Sequence, residues 1–285
     1  KKLSIEGKGQ IKLQNKFELI DYKLINNVSD LNLSLNLELS ELDIKNQNLI
    51  KEYLPQTQDI LNLKDHKIKL NYQNNVLTFE GSGKIRLEKE LNKIKYFFSK
   101  KDKKYNFKTD LEINDTPIKI DLINYKKNKN FDSQLKINGN YNKKFGFDFK
   151  KITLLSKSNS LIVGNLIIDK DNKLAKVDKI DLDYFDNDNM KNKFALSRIK
   201  NNNYELKGSL LNADTIITNL LESNNDQQLD IFKEDINIKL NLSNVYLDND
   251  NSVKNLNGRI QIIDNKVDYA NISAQFTNDE NLKFT

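Results

Sequence analysis

Leu31-Asn32-Leu33-Ser34-Leu35-Asn36-Leu37-Glu38-Leu39 decides the fold class. A leucine at every second position puts all five on one face of an extended strand, with Asn32, Ser34, Asn36 and Glu38 on the other. A helix would scatter the same leucines around its circumference. One apolar and one wetted face is the mark of an antiparallel sheet whose two sides meet different surroundings.

The same alternation recurs outward from this stretch. It appears at 3–13, 67–72, 77–87, 93–98, 105–113, 118–122, 131–141 and 145–154, then at 160–169, 176–184, 193–199, 204–211, 236–246, 253–263, 267–276 and from 282 onward. Short polar clusters such as Asp186-Asn187-Asp188-Asn189 and Asn201-Asn202-Asn203 separate these runs, so consecutive strands are expected to form antiparallel meanders. Two segments break the pattern. In 46–63, Leu49, Ile50, Tyr53 and Leu54 have roughly helical spacing before Pro55; in 213–223, Ile216, Ile217, Leu220 and Leu221 follow Asp214, read as an N-cap. The expected fold is mostly β: an extended, curled, groove-like antiparallel sheet with one or two short helices.

Residues 3–13 are echoed at 77–87, with Leu, Glu, two Gly, Ile and Leu at matching places, as in a sheet that grows by repetition. Gly7, Gly9, Gly81, Gly83, Gly139, Gly208 and Gly258 all fall on the apolar face. Missing side chains there let a sheet curl toward that face or let another group approach the backbone. Sub-units are expected at 1–72, 73–200 and 201–285.

Composition removes whole chemistries. At 285 residues the chain is long enough for a sizeable core, and the absence of Cys excludes disulfides, thiolate metal sites and thiol nucleophiles. His66, the one histidine, rules out a multi-histidine metal site, and Lys64-Asp65-His66-Lys67 reads as a solvated turn before a strand. The net charge of +6 raises the question of nucleic acid. Only Arg86, Arg198 and Arg259 are arginines, however, and the lysines are dispersed among acids. The densest runs, Lys100-Lys101-Asp102-Lys103-Lys104 and Lys126-Lys127-Asn128-Lys129, fall where turns are expected, and no nucleic-acid partner is inferred.

Catalytic and metal motifs are missing. Gly81-Ser82-Gly83-Lys84 has the glycines and lysine of a phosphate loop without its spacing. Asp248-Asn249-Asp250-Asn251-Ser252 begins like a calcium loop but lacks its glycine, with Arg259 where the bidentate Glu belongs, so a hairpin turn is expected. Neither a cofactor nor a metal is implied. No stretch of about eighteen apolar residues is present to span a bilayer as a helix, and both ends read as cut from a longer protein.

In the C-terminal half, Gly208 to Asp214, then Ile217 to Leu221, lead to the strands 236–248, 253–260 and 272–276. Asn48-Leu49-Ile50-Lys51-Glu52-Tyr53-Leu54-Pro55 stands earlier in the chain, with Tyr53-Leu54 where a Trp is usual. This series resembles the AsmA-like proteins of Gram-negative bacteria, nearest the YhdP-like branch. The resemblance implies a periplasmic protein held in the inner membrane by a segment outside this stretch. It further implies a long β-groove carrying phospholipid toward the outer membrane, where outer-membrane components are possible partners.

The mechanism expected is passive and non-enzymatic. Acyl chains slide along inward Leu, Ile and Phe side chains while head groups stay in water. The candidate lining residues are Leu33, Leu35, Leu37, Phe79, Ile85, Leu111, Ile137, Leu206, Leu240 and Ile260. Alternatives are a structural scaffold for outer-membrane biogenesis, as in the related TamB branch, a β-helix adhesin or carbohydrate-binding protein, and an outer-membrane barrel. The barrel reading suffers from short strands and the lack of clear aromatic girdles.

Overall fold

The computed structural model describes residues 7–13, 19–20, 23–24, 33–45, 54–129, 131–222, 233–248, 250–264, 266–276 and 280–284. The chain is mostly β and forms two compact units, Lys1–Pro117 with Lys129–Lys143, and Ile118–Asn128 with Lys144–Thr285.

The strands of the first half are β1 (Gly7–Leu13), β2 (Leu19–Ile20), β3 (Lys23–Leu24), β4 (Leu33–Lys45), β5 (Ile60–Gln73), β6 (Val76–Arg86), β7 (Leu91–Lys101), β8 (Lys104–Glu112), β9 (Ile118–Ile120), β10 (Tyr125–Lys127) and β11 (Ser133–Asn142). The first unit is an antiparallel sheet in the order β1-β4-β5-β6-β7-β8-β11, with β2 and β3 as a separate ribbon. Asparagine and aspartate make the sharp reversals. Asn74 and Asn75 both have positive φ (50° and 60°) between β5 and β6, as a type I′ hairpin requires, and Asp102 (φ 52°) turns β7 into β8.

The second unit contains β9, β10 and β12 (Gly146–Ser156), β13 (Ser160–Ile168), β14 (Leu174–Phe185), β15 (Lys191–Lys200), β16 (Asn203–Asn212), β17 (Ile236–Tyr246), β18 (Ser252–Ile263), β19 (Lys266–Phe276) and β20 (Asn281–Phe284). From β12 to β20 the strands neighbour one another in chain order. All these pairs are antiparallel except one: β16 and β17 run parallel, joined through the helix α1 (Asp214–Glu222). Between β12 and β20 the expected antiparallel meander is thus interrupted by one parallel step, because a strand followed by a crossover can return in the same direction.

Helix α1 stands where 213–223 predicted it. Its side-chain cap is Asn212 rather than Asp214: the Asp214 N–H donates to Asn212 Oδ1 at 3.2 Å, while the Asp214 carboxylate lies in the first turn, on the favourable side of the helix dipole. Ile216 and Ile217 pack on a cluster of Leu211, Ala213, Leu240, Leu242, Val245, Val253, Leu256 and Ala274. The other expected helical segment fares differently. Residues 46–53 lie outside the described residues, Leu54 opens a turn, and from Ile60 the chain is strand, because Leu61 and Leu63 alternate with Asn62 and pair with Ile44 and Leu42. The strand expected at 118–122 stops at Ile120. A 3-10 turn, Asp121–Ile123, follows it, and β9 pairs only with β10.

Candidate functional site

Register brings the candidate residues together within each unit. In the first, Leu35, Leu70, Phe79, Phe98 and Phe107 form one row across β4 to β8, and Leu37, Ile68, Gly81, Tyr96, Thr109 and Ile137 form the next. Leu33, Ile85, Leu111 and Gly139 share this face by alternation, and Gly9 and Gly7 pair with Leu37 and Leu39 at its edge. Six inter-strand spacings make the face about 29 Å wide.

Burial grades along it. Leu39, Ile85 and Leu111 are buried, whereas Leu33, Leu35, Leu37, Leu70, Phe79, Phe98, Phe107 and Ile137 are only partly covered. A closed sandwich would bury such central side chains almost completely. This face is instead an apolar ladder left partly exposed.

Two of the inward glycines, Gly81 and Gly83, are seats for rings. A Cβ at Gly81 would come within 2.5 Å of the Tyr96 phenol, and one at Gly83 would overlap the His66 imidazole. His66 is 1% exposed and lies inside β5, not in the solvated turn expected for it. The reason is a β-bulge: the register shifts between Lys64 and Lys67, Asp65 takes a φ of 55°, and the imidazole turns inward over Gly83. Its Nε2 is 2.9 Å from the Lys84 carbonyl, which can only accept, so Nε2 is the donor there. Nδ1 then accepts from the Tyr96 hydroxyl at 3.1 Å. Burial pushes the Tyr96 pKa up, which keeps that donor protonated. Both ring nitrogens are thus committed to holding the sheet.

The opposite face is polar. A depression of about 580 Å³ opens on it, lined by Lys67, Lys69, Glu80, Lys95, Phe97 and Lys108 among others. Three consecutive aromatics, Tyr96-Phe97-Phe98, hid this division in the sequence; register sends Tyr96 and Phe98 to the apolar side and leaves Phe97 39% exposed on the other.

In the second unit Leu206 pairs with Leu240, Leu240 with Gly258, and Ile238 with Ile260, so the three remaining candidates share one face. Gly208 and Gly258 lie on it too, but the neighbouring strands fill their space: Phe194 Cβ and Lys193 O approach Gly208, and the β19 backbone closes on Gly258. Leu240 is 6% exposed, and Leu206 and Ile260, partly buried, pack against the cluster that contains it. The face is covered there at Leu240, Leu242 and Leu256.

A buried polar network anchors that closure. Asn192, fully buried, donates to Asp186 Oδ2 at 3.0 Å and accepts the Asn212 N–H at 2.7 Å; Asn212 Nδ2 donates to the same Asp186 oxygen at 2.9 Å. Nearby, Tyr125 stacks edge-on against Tyr184, whose hydroxyl donates to Ile123 O at 2.8 Å. Burial pushes the pKa of both tyrosines up. The Asn192, Asn212, Asp186 and Tyr184 groups are thus engaged within the fold.

Among the described residues no group of three or more His, Asp or Glu side chains is placed to hold a metal, and no helix is long and apolar enough to cross a membrane. No family model matches the chain, and no curated protein or solved structure is significantly similar to it.

Proposed function

We propose that this protein is a non-enzymatic, AsmA-like lipid carrier of the Gram-negative periplasm, tethered to the inner membrane and moving phospholipid toward the outer membrane. The observation that supports the reading is the partly exposed apolar ladder of the first unit, from Leu35 and Leu37 to Phe107 and Ile137. An apolar area of this extent is costly in water unless something covers it. In this reading the sheet curls around acyl chains that lie against it.

Burying a methylene gains about 0.8 kcal/mol, and an open face covers roughly half of each group. Two chains of ten methylenes would then gain about 8 kcal/mol before the costs of association and ordering. Native mass spectrometry with lipid extraction tests the reading. Near-stoichiometric phospholipid is expected on the wild-type chain, with most of it lost in Leu35→Asp and Phe79→Asp variants that stay folded. A stable, lipid-free wild-type monomer would overturn it.

The scaffold reading draws on the second unit. There Ile216 and Ile217 of α1 pack on the same cluster as Leu206 and Leu240, so that apolar side chains meet each other rather than a ligand.

A further inference from the structure

We infer that one end of the first unit's sheet is a docking rim for anionic phospholipid head groups; the inference rests on the lipid reading above and names the head-group chemistry of that same face. The last row of the apolar face before the turns is Leu33, Tyr72, Leu77, Lys100, Tyr105 and Tyr141. Here the ladder changes from aliphatic to amphipathic side chains. Rings run on without a gap from Phe79 to Phe98 (6.2 Å), Tyr105 (5.7 Å) and Tyr141 (5.9 Å). Lys100 lies among them with Nζ 5.8 Å from the Tyr105 centroid, its stem along the apolar face and its charge at the margin.

Just beyond this row stand the turns. Lys101 pairs with Lys104 across the β7–β8 hairpin, and Lys104 pairs with Asn142, so Lys143 leaves β11 at the same end. Lys100, Lys101, Lys103, Lys104 and Lys143 are all exposed, and Asp102 is the one acid in the hairpin run. Tyrosine and lysine bordering an apolar surface match the order of chemistries at a lipid–water boundary: acyl chain, interface, phosphate. Nucleic acid is disfavoured because the rim holds no arginine and its rings are engaged with one another.

Each lysine near an anionic bilayer strengthens binding by about fivefold. The test is flotation of the 285-residue chain with extruded vesicles of phosphatidylcholine, alone or with one third phosphatidylglycerol, at low and high salt. The wild type is expected to float with the anionic vesicles only, and less at high salt. The triple variant K101E/K103E/K143E should lose on the order of a hundredfold in partitioning. The triple variant K67E/K69E/K95E, with the same charge change on the polar face, should stay within a few-fold, and circular dichroism checks that both fold.

Equal loss in both triple variants would overturn the rim, as would equal flotation with neutral vesicles or none, or displacement by a 20-mer oligonucleotide. The two readings fail separately. Lipid retained in K101E/K103E/K143E without flotation supports the rim and leaves the carrier standing; flotation by a chain that carries no lipid supports the rim and removes the carrier.

Discussion

A methyl group at Gly83 would land on the His66 imidazole, while one at Gly164 would find nothing closer than the Lys179 carbonyl at 3.9 Å. Gly83→Ala is therefore expected to destabilise the protein by about 1–3 kcal/mol as an overpacked site, and Gly164→Ala to leave it nearly unchanged. Thermal unfolding of both reads the contrast, and equal melting temperatures would contradict the ring-seat account. Adding His66→Ala to Gly83→Ala should recover part of the loss, as a coupling between the two sites. The glycine pattern was legible in the sequence because parity alone assigns a face. What fills the space was not, since it depends on the neighbouring strand and on a bulge. Lys64-Asp65-His66-Lys67 looks like a turn because aspartate does adopt positive φ here; the strand continues through it because Leu63 and Ile68 still need their partners across the sheet.

At the scale of elements, the turns carry their own chemistry. Asp169, Asp186 and Asp248 each open a loop of the form Asp-x-Asp-Asn and bend the carboxylate back onto backbone N–H groups: those of Asp171 and Lys173, of Asp188 and Met190, and of Asp250 and Asn251. The backbone N–H of Lys173 foremost, against the opposing effect of burial, holds the Asp169 carboxyl below the usual range, and the Asn251 amide does the same for Asp248. Asp183 is lowered by its hydrogen bond to Lys191; at Asp178 burial pulls upward, but Lys176 and Arg198 outweigh it. A carboxyl whose folded pKa lies below its unfolded value stabilises the fold at pH above the unfolded value and loses that contribution as pH falls through the folded one. All four sit in the second unit. Melting temperature measured from pH 6 to 3 is expected to be flat above about pH 4 and to fall below it. Asp183→Asn should flatten that fall, and an unchanged slope would count against the account. Hairpin turns were readable because Asn and Asp announce them locally. The parallel pairing of β16 with β17 was not, because strand direction is decided by the length and course of the connection between them.

For the whole molecule, the two units differ in how their apolar faces end. Leu35, Phe79 and Phe107 remain partly uncovered in the first, whereas Leu240, Leu242 and Val245 lie under a helix in the second. A dye that fluoresces on apolar surface should bind the native protein at neutral pH, and a Leu35→Asp, Phe79→Asp double variant should lose most of the signal while Ile216→Asp does not. The reverse pattern would place the accessible surface in the second unit. A sheet extended by hairpins adds strands in twos, so its successive turns keep a fixed rhythm between its two margins. The parallel step at α1 inserts a half-beat: β14 and β16 both end at one margin, and β17, running alongside β16, ends there as well. Growth by single strands thereby becomes possible, and this one parallel step exchanges the margins on which all later loops appear.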